Sequence, residues 1–203
     1  MISNYEISLH NAMKRFCSCD MTVLSQKSGV TDRGAYLETR FFGMETKICK
    51  KTGNVTLNGE NADFCEALSV FDWLCDGKAD AKASGRFCPV SSLPGVFVRG
   101  SGLMMKSPEL SESIHHNPDK FREICLKMDG KMLDIGDMGA EIEIFSGLPM
   151  ELKFYFGDAE FPPDITFLWD ENILQFVRYE TVYYIAATLQ KHLNSYIQPY
   201  GFI

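Results

Sequence analysis

The chain has 203 residues, of which 45% are hydrophobic and 23% charged, and its formal net charge is −7. Such a composition can fill one sizeable core and excludes a disordered or collagen-like chain. The acidic balance, with Lys and Arg scattered, excludes a general nucleic-acid binder, which needs a basic face to displace counterions from phosphates.

Residues 4–19 read as an amphipathic helix, because Tyr5, Leu9, Ala12, Met13 and Phe16 form one apolar stripe. Asp20 is placed to cap a second short helix that Gly29 closes. Three short strands are predicted at 34–41, 44–50 and 54–58, punctuated by Gly43 and by Thr52-Gly53-Asn54. Helical spacing returns at 62–76, with Phe64, Leu68, Phe71 and Cys75 on one face and Gly77 at the end. From 78 to 102 the chain is irregular, with strand-like pieces at 86–90 and 96–99. Ser107-Pro108-Glu109 has the residue types of N-cap, N1 and N2, and Asn117-Pro118-Asp119 repeats them, so two consecutive helices are expected before Gly130.

The last third alternates with a period of two. Ala140, Ile142 and Ile144, then Leu152, Phe154 and Phe156, then Ile165, Phe167 and Trp169 each alternate with more polar neighbours. Residues 180–197 close the chain as a helix with Val182, Ala186, Leu189 and Leu193 inward. The expected class is α+β: antiparallel strand meanders at about 34–58 and 140–169, helices packed on one face, and a closing C-terminal helix. With no repeat or linker in sight, residues 1–203 are read as a single domain.

No apolar run approaches the ~20 residues that span a bilayer, and the N-terminus lacks the basic opening and apolar stretch of a signal peptide. The seven cysteines are odd in number and irregular in spacing, which fits reduced thiols in the cytoplasm better than a disulfide framework. The protein is therefore expected in the cytoplasm, with no membrane and no nucleic acid among its partners.

The chemistry-bearing residues concentrate in one turn. Gly157, Asp158, Glu160, Phe161, Pro162, Pro163 and Asp164 lie within eight positions between two aromatic strands. Asp158, Glu160 and Asp164 could ligate a hard cation or divide acid and base roles, with Arg178 as electrostatic partner. The same residues also make a plain turn: Gly157 lets the strand exit sharply, Asp158 bonds backbone amides, and Phe161 before Pro162 stays extended.

Other motifs carry less. Gly100 to Ser107 resembles a phosphate loop, yet Met105 stands at the second glycine of GxxxxGK[ST], and the flanking meanders are not βαβ units. His115 and His116 are adjacent, which suits a polar helix C-terminus better than a shared ion, and no CxxC occurs. No metal site is assigned. Cys88 has neither a neighbouring base nor a helix N-terminus to activate it, and Cys65, Cys75 and Cys125 sit on apolar faces. Phe154, Phe156, Phe167 and Trp169 could line a pocket for a planar ligand or simply fill the core. Tyr179, Tyr183 and Tyr184 cannot all face inward, so at least one is expected at a rim.

Three segments carry a family likeness: SGRFCPVSSLPG (84–95), LDIGD (133–137) and FGDAEFPPDITFLWDENI (156–173), the last followed by a C-terminal helix. Together they resemble the prokaryotic family catalogued as domain of unknown function 3786, common in anaerobic bacteria and archaea. The likeness runs from the first helix to about His192. It implies a shared fold and an anaerobic source, and it implies no reaction. Some relatives carry an added iron–sulfur segment of the kind found in corrinoid proteins of one-carbon metabolism, and this chain has none. The cofactor is thus open. The expected function is a non-catalytic binding or accessory protein, engaging a protein partner, a second copy or a small planar ligand. The alternative is an enzyme or metal-binding protein working from Asp158, Glu160 and Asp164.

Overall fold

Alternating apolar residues do pair into two antiparallel meanders, as seen in the computed structural model, which describes residues 3–96 and 107–197. The phosphate-loop likeness at 100–107, Ser107 apart, and the expected strand at 96–99, Val96 apart, lie outside the described residues. The first sheet runs in chain order: β1 (Thr31–Asp32), β2 (Tyr36–Phe41), β3 (Met44–Cys49), β4 (Val55–Leu57) and β5 (Glu60–Asn61). The second contains β6 (Phe87–Cys88), β7 (Lys131–Leu133), β8 (Met138–Phe145), β9 (Leu148–Tyr155) and β10 (Asp164–Asp170), in the order β6-β10-β9-β8-β7. Every strand pairing in both is antiparallel. Along β9, Leu148, Met150, Leu152 and Phe154 are buried while the residues between them are partly exposed, which is the period-two pattern of a sheet with one wetter face.

Seven α-helices lie among the described residues. The first, α1 (Asn4–Cys17), starts at a Ser3–Glu6 capping box, and α3 (Phe64–Asp76) starts at an Asp63–Glu66 box. Asp20 caps α2 (Met21–Ser25) by accepting from the Thr22 amide at 2.8 Å. Pro108 and Pro118 open α4 (Pro108–His116) and α5 (Pro118–Lys127). Ser107 occupies the N-cap position of α4, but its side chain makes no capping bond; its carbonyl instead accepts from Ser111 N and Oγ at 2.9 and 3.0 Å. After the short α6 (Ile173–Phe176), α7 (Tyr179–Ile197) packs against α3 and buries Val182, Ile185, Ala186, Leu189 and Leu193. No helix among the described residues is long and apolar enough to cross a membrane.

The sheets join at Phe42. This residue turns between β2 and β3 at φ +49°, a left-handed conformation that costs a bulky side chain. Tertiary contacts hold it there. Its amide donates to Ile144 O at 3.0 Å, Phe41 stacks on Phe145 at 4.6 Å, and Phe145 stacks on Trp73 at 4.3 Å. Phe154, Phe167 and Trp169 belong to the same buried cluster, whereas Phe156 lies past the end of β9 and is exposed. Phe154, Phe167 and Trp169 fill a core, and none of the four borders the clefts described below.

Candidate functional site

The acidic turn between β9 and β10 is organised by its own backbone. Asp158 Oδ1 accepts from the amides of Glu160 and Phe161, both at 2.8 Å, and the Asp158 amide donates to Phe161 O at 2.9 Å. The two amide bonds hold the Asp158 carboxyl below its ordinary range, so it stays ionised and engaged. Glu160 is exposed. Asp164 begins β10, and its Oδ2 accepts from Thr166 Oγ1 at 3.2 Å. His115, in the last turn of α4, accepts from the Gly157 amide at 3.3 Å and so anchors the turn. Arg178 lies past the other end of β10, a strand of about 20 Å, and its Nε pairs with Asp76 at 2.9 Å. The structure therefore leaves Arg178 apart from the turn.

Gly157 is required here by space. A Cβ at this position would stand 2.6 Å from Pro163 Cδ and 2.8 Å from Pro163 N. We expect Gly157→Ala to cost about 1–3 kcal/mol in urea unfolding, the usual range for overpacking against backbone. A loss under about 0.5 kcal/mol, the scale of an ordinary surface change, would mean that the turn is soft.

A different place combines a cavity with oriented polar groups. A pocket of about 320 Å³ lies where the β2–β3 and β4–β5 turns meet the end of α5 and the last turns of α7. Phe42, Met44, Ile124, Met128, His192 and Tyr196 are among its lining residues. Three residues other than glycine with positive φ gather here: Phe42 (+49°) and Asn58 (+48°) in the lining, and Asp129 (+57°) directly after Met128. Clustered backbone strain of this kind persists only where the surroundings fix it. Gly43 is pressed against α5, since a Cβ on it would meet Met128 C at 2.9 Å.

His192 lines this pocket with the polar residues Asn58, Lys127 and Ser195. Its Nε2 lies 2.9 Å from Glu66 Oε1, which Lys191 Nζ also approaches at 2.7 Å. Glu66 Oε2 accepts from the Asp63 amide at 2.8 Å, and the Glu66 side chain is only 5% exposed. Burial pushes the Glu66 carboxyl up, but hydrogen bonds from His192, Lys191 and the Asp63 amide outweigh it and hold the pKa at about 2. An ionised carboxylate can only accept. His192 Nε2 must then carry the proton, and in the neutral ring Nδ1 presents a lone pair with no partner among the described residues. Sequence reasoning missed this pair, because Glu66 and His192 are 126 positions apart. The one local signal, Asp63-x-x-Glu66, reads as a helix start.

A cleft of about 460 Å³ runs beside α1, α3 and α7. Arg15 donates to Asp72 at 2.6 Å and Asp76 at 2.7 Å, Arg178 pairs with Asp76, and Thr181 donates to Asp72 at 2.6 Å. These charges answer one another and tie three helices together. Tyr184 lines the same cleft, and Tyr179, Tyr183 and Tyr184 are all half-buried. Among the described residues no group of three His, Cys, Asp or Glu side chains is placed to hold a metal ion.

In comparisons with known proteins, a family model described as "Domain of unknown function (DUF3786)" matches residues 20–192. No curated protein and no solved structure matches the chain.

Proposed function

The chain belongs to the domain of unknown function 3786 family, and because that membership assigns no reaction we propose its function from its own geometry. We read it as a cytoplasmic, non-catalytic binding protein of an anaerobic prokaryote, holding a small planar ligand in the 320 Å³ pocket. One observation carries the reading: a His192 ring locked by buried Glu66 opens on a pocket whose walls combine Phe, Met, Ile and Tyr side chains with Asn58, Lys127 and Ser195. Ligand sites combine apolar walls with a few placed polar groups, and methionine adapts well to flat aromatic faces. The volume suits one or two fused rings. A ligand N–H or O–H would donate to His192 Nδ1.

The alternative, an enzyme or metal-binding protein built on Asp158, Glu160 and Asp164, has less behind it. Asp158 already accepts two amides, and its pKa is lowered where an acid catalyst needs it raised.

Indole tests the proposal, since it is planar, apolar and carries one donor. Saturable binding is expected by calorimetry, with His192→Phe weakening it about 3–10-fold, the value of one hydrogen bond. Binding of 1-methylindole, which lacks the donor, should not respond to that substitution. No saturable binding, or equal indole affinity in His192→Phe, would remove the proposal. A divalent-cation-dependent activity lost in both Asp158→Asn and Glu160→Gln would establish the alternative.

A further inference from the structure

Lys27 is a half-buried cation that pairs with no carboxylate among the described residues. Its Nζ donates to Trp73 O at 2.7 Å and Gly77 O at 2.9 Å, at the C-terminal end of α3, where positive charge is favoured. An ammonium has three hydrogens, so one keeps no partner among the described residues. Asp76, beside Gly77, is already taken by Arg15 at 2.7 Å and Arg178 at 2.9 Å. Lys27 lines a cavity of about 270 Å³ together with Ser28, Lys78, Lys82 and Ser146. No Asp or Glu is among the lining residues, although the chain carries a net charge of −7. The wall is fixed by measured bonds. The Lys78 amide donates to Gln175 O at 2.8 Å and Lys82 O accepts from Asn172 Nδ2 at 3.0 Å, which holds the 78–82 segment against α6. Ser28 Oγ and Ser146 Oγ lie 3.2 Å apart, so one hydroxyl donates to the other and the second keeps its hydrogen free.

We propose that this cavity binds a small phosphate dianion, whose oxygens accept from the Lys27 ammonium and the Ser28–Ser146 hydroxyl pair while Lys78 and Lys82 balance its charge. The side chains of the wall offer donors and cations in surplus, and an anion is the ligand that answers both. Phosphate fits better than a carboxylate. It brings up to about two negative charges and three strong acceptor oxygens, against one charge on a carboxylate. Lysine binds it as a point charge, with no need of the planar fork that a carboxylate shares with arginine. Burial pushes the Lys27 ammonium below the ordinary lysine range, and a bound dianion supplies the opposite charge that offsets this cost. The site is separate from the His192 pocket and does not depend on the reading given to that pocket.

The test is calorimetric titration of the full chain with inorganic phosphate and with glycerol 1-phosphate, at constant ionic strength. Saturable binding is expected, and glycerol alone should show none. Lys78→Ala combined with Lys82→Ala should weaken it about 10-fold or more, the value of a charge-assisted hydrogen bond, and Lys27→Met at least as much. Lys14→Ala combined with Lys51→Ala removes the same charge from exposed positions outside the cavity and should leave binding unchanged, because salt screens such charges. Tighter binding of the ester identifies a phosphate monoester as the ligand and equal binding identifies free phosphate; either supports the site. Should Lys27→Met fail to fold by circular dichroism, the combined Lys78→Ala and Lys82→Ala variant, at two exposed positions, decides alone. The site is overturned by the absence of saturable binding to both probes, by full affinity without Lys78 and Lys82, or by an equal loss without Lys14 and Lys51.

Discussion

Asp170→Ala is expected to destabilise the protein by on the order of 3 kcal/mol, the level reached when buried donors lose their acceptor. Asp170 is fully buried at the end of β10. Its Oδ1 accepts from the amides of Ser84 and Asn172 at 2.9 and 2.8 Å, and its Oδ2 from the Gly85 amide at 2.8 Å and Ser84 Oγ at 3.2 Å. One carboxylate therefore satisfies three backbone amides, fixes the turn that leads into β6, and starts the turn before α6. Removing it leaves those three part-buried amides without their acceptor. Asp170→Asn keeps one accepting oxygen and should cost about 1–2 kcal/mol. Urea unfolding followed by fluorescence of the buried Trp73 and Trp169 gives the measurement. A midpoint for Asp170→Ala within about 0.5 kcal/mol of the parent, the scatter of neutral surface changes, would show that water replaces the carboxylate.

Glu66→Gln should remove a pH-dependent share of stability. The folded-state pKa is depressed from 4.5 to about 2. The sign follows directly: the contribution is complete above the unfolded value and is lost as pH falls from about 4.5 toward 2. At 1.36 kcal/mol per unit, the shift is on the order of 3 kcal/mol. The parent should therefore lose stability steeply between pH 5 and pH 2, while Glu66→Gln starts lower at pH 7 and loses less over that range. Unfolding midpoints at pH 7, 5 and 3 provide the comparison. Parallel acid limbs in the two proteins would mean that Glu66 titrates normally and does not fix His192.

Periodicity made the long elements legible. The alternation along β8, β9 and β10 and the stripe of α7 each cover enough residues for a period to show. The two-residue strands β1 and β5 are too short to show one, and β6 lay hidden within a strand expected over 86–90. Phe42 gave no sign of its left-handed backbone, because the contacts that hold it come from Ile144 and the second sheet. The turn at 157–164 was readable as a turn, since Asp158 bonds amides two and three residues ahead. Arg178 drew attention as a cation in need of an acid, but its acid is Asp76 at the end of α3. Glu66–His192 escaped for the same reason: the pair is assembled by helix packing across the chain, and neither member has a spacing that announces the other.

The most direct measurement is the ¹⁵N shift of the His192 imidazole, followed with backbone amide shifts as indole is added. The account predicts a free ring protonated at Nε2 and bare at Nδ1, a shift at Nδ1 on titration, and amide changes centred on Phe42, Met44, Ile124 and Met128. A ring bare at Nε2, or changes centred on residues 157–164 with His192 silent, would contradict it.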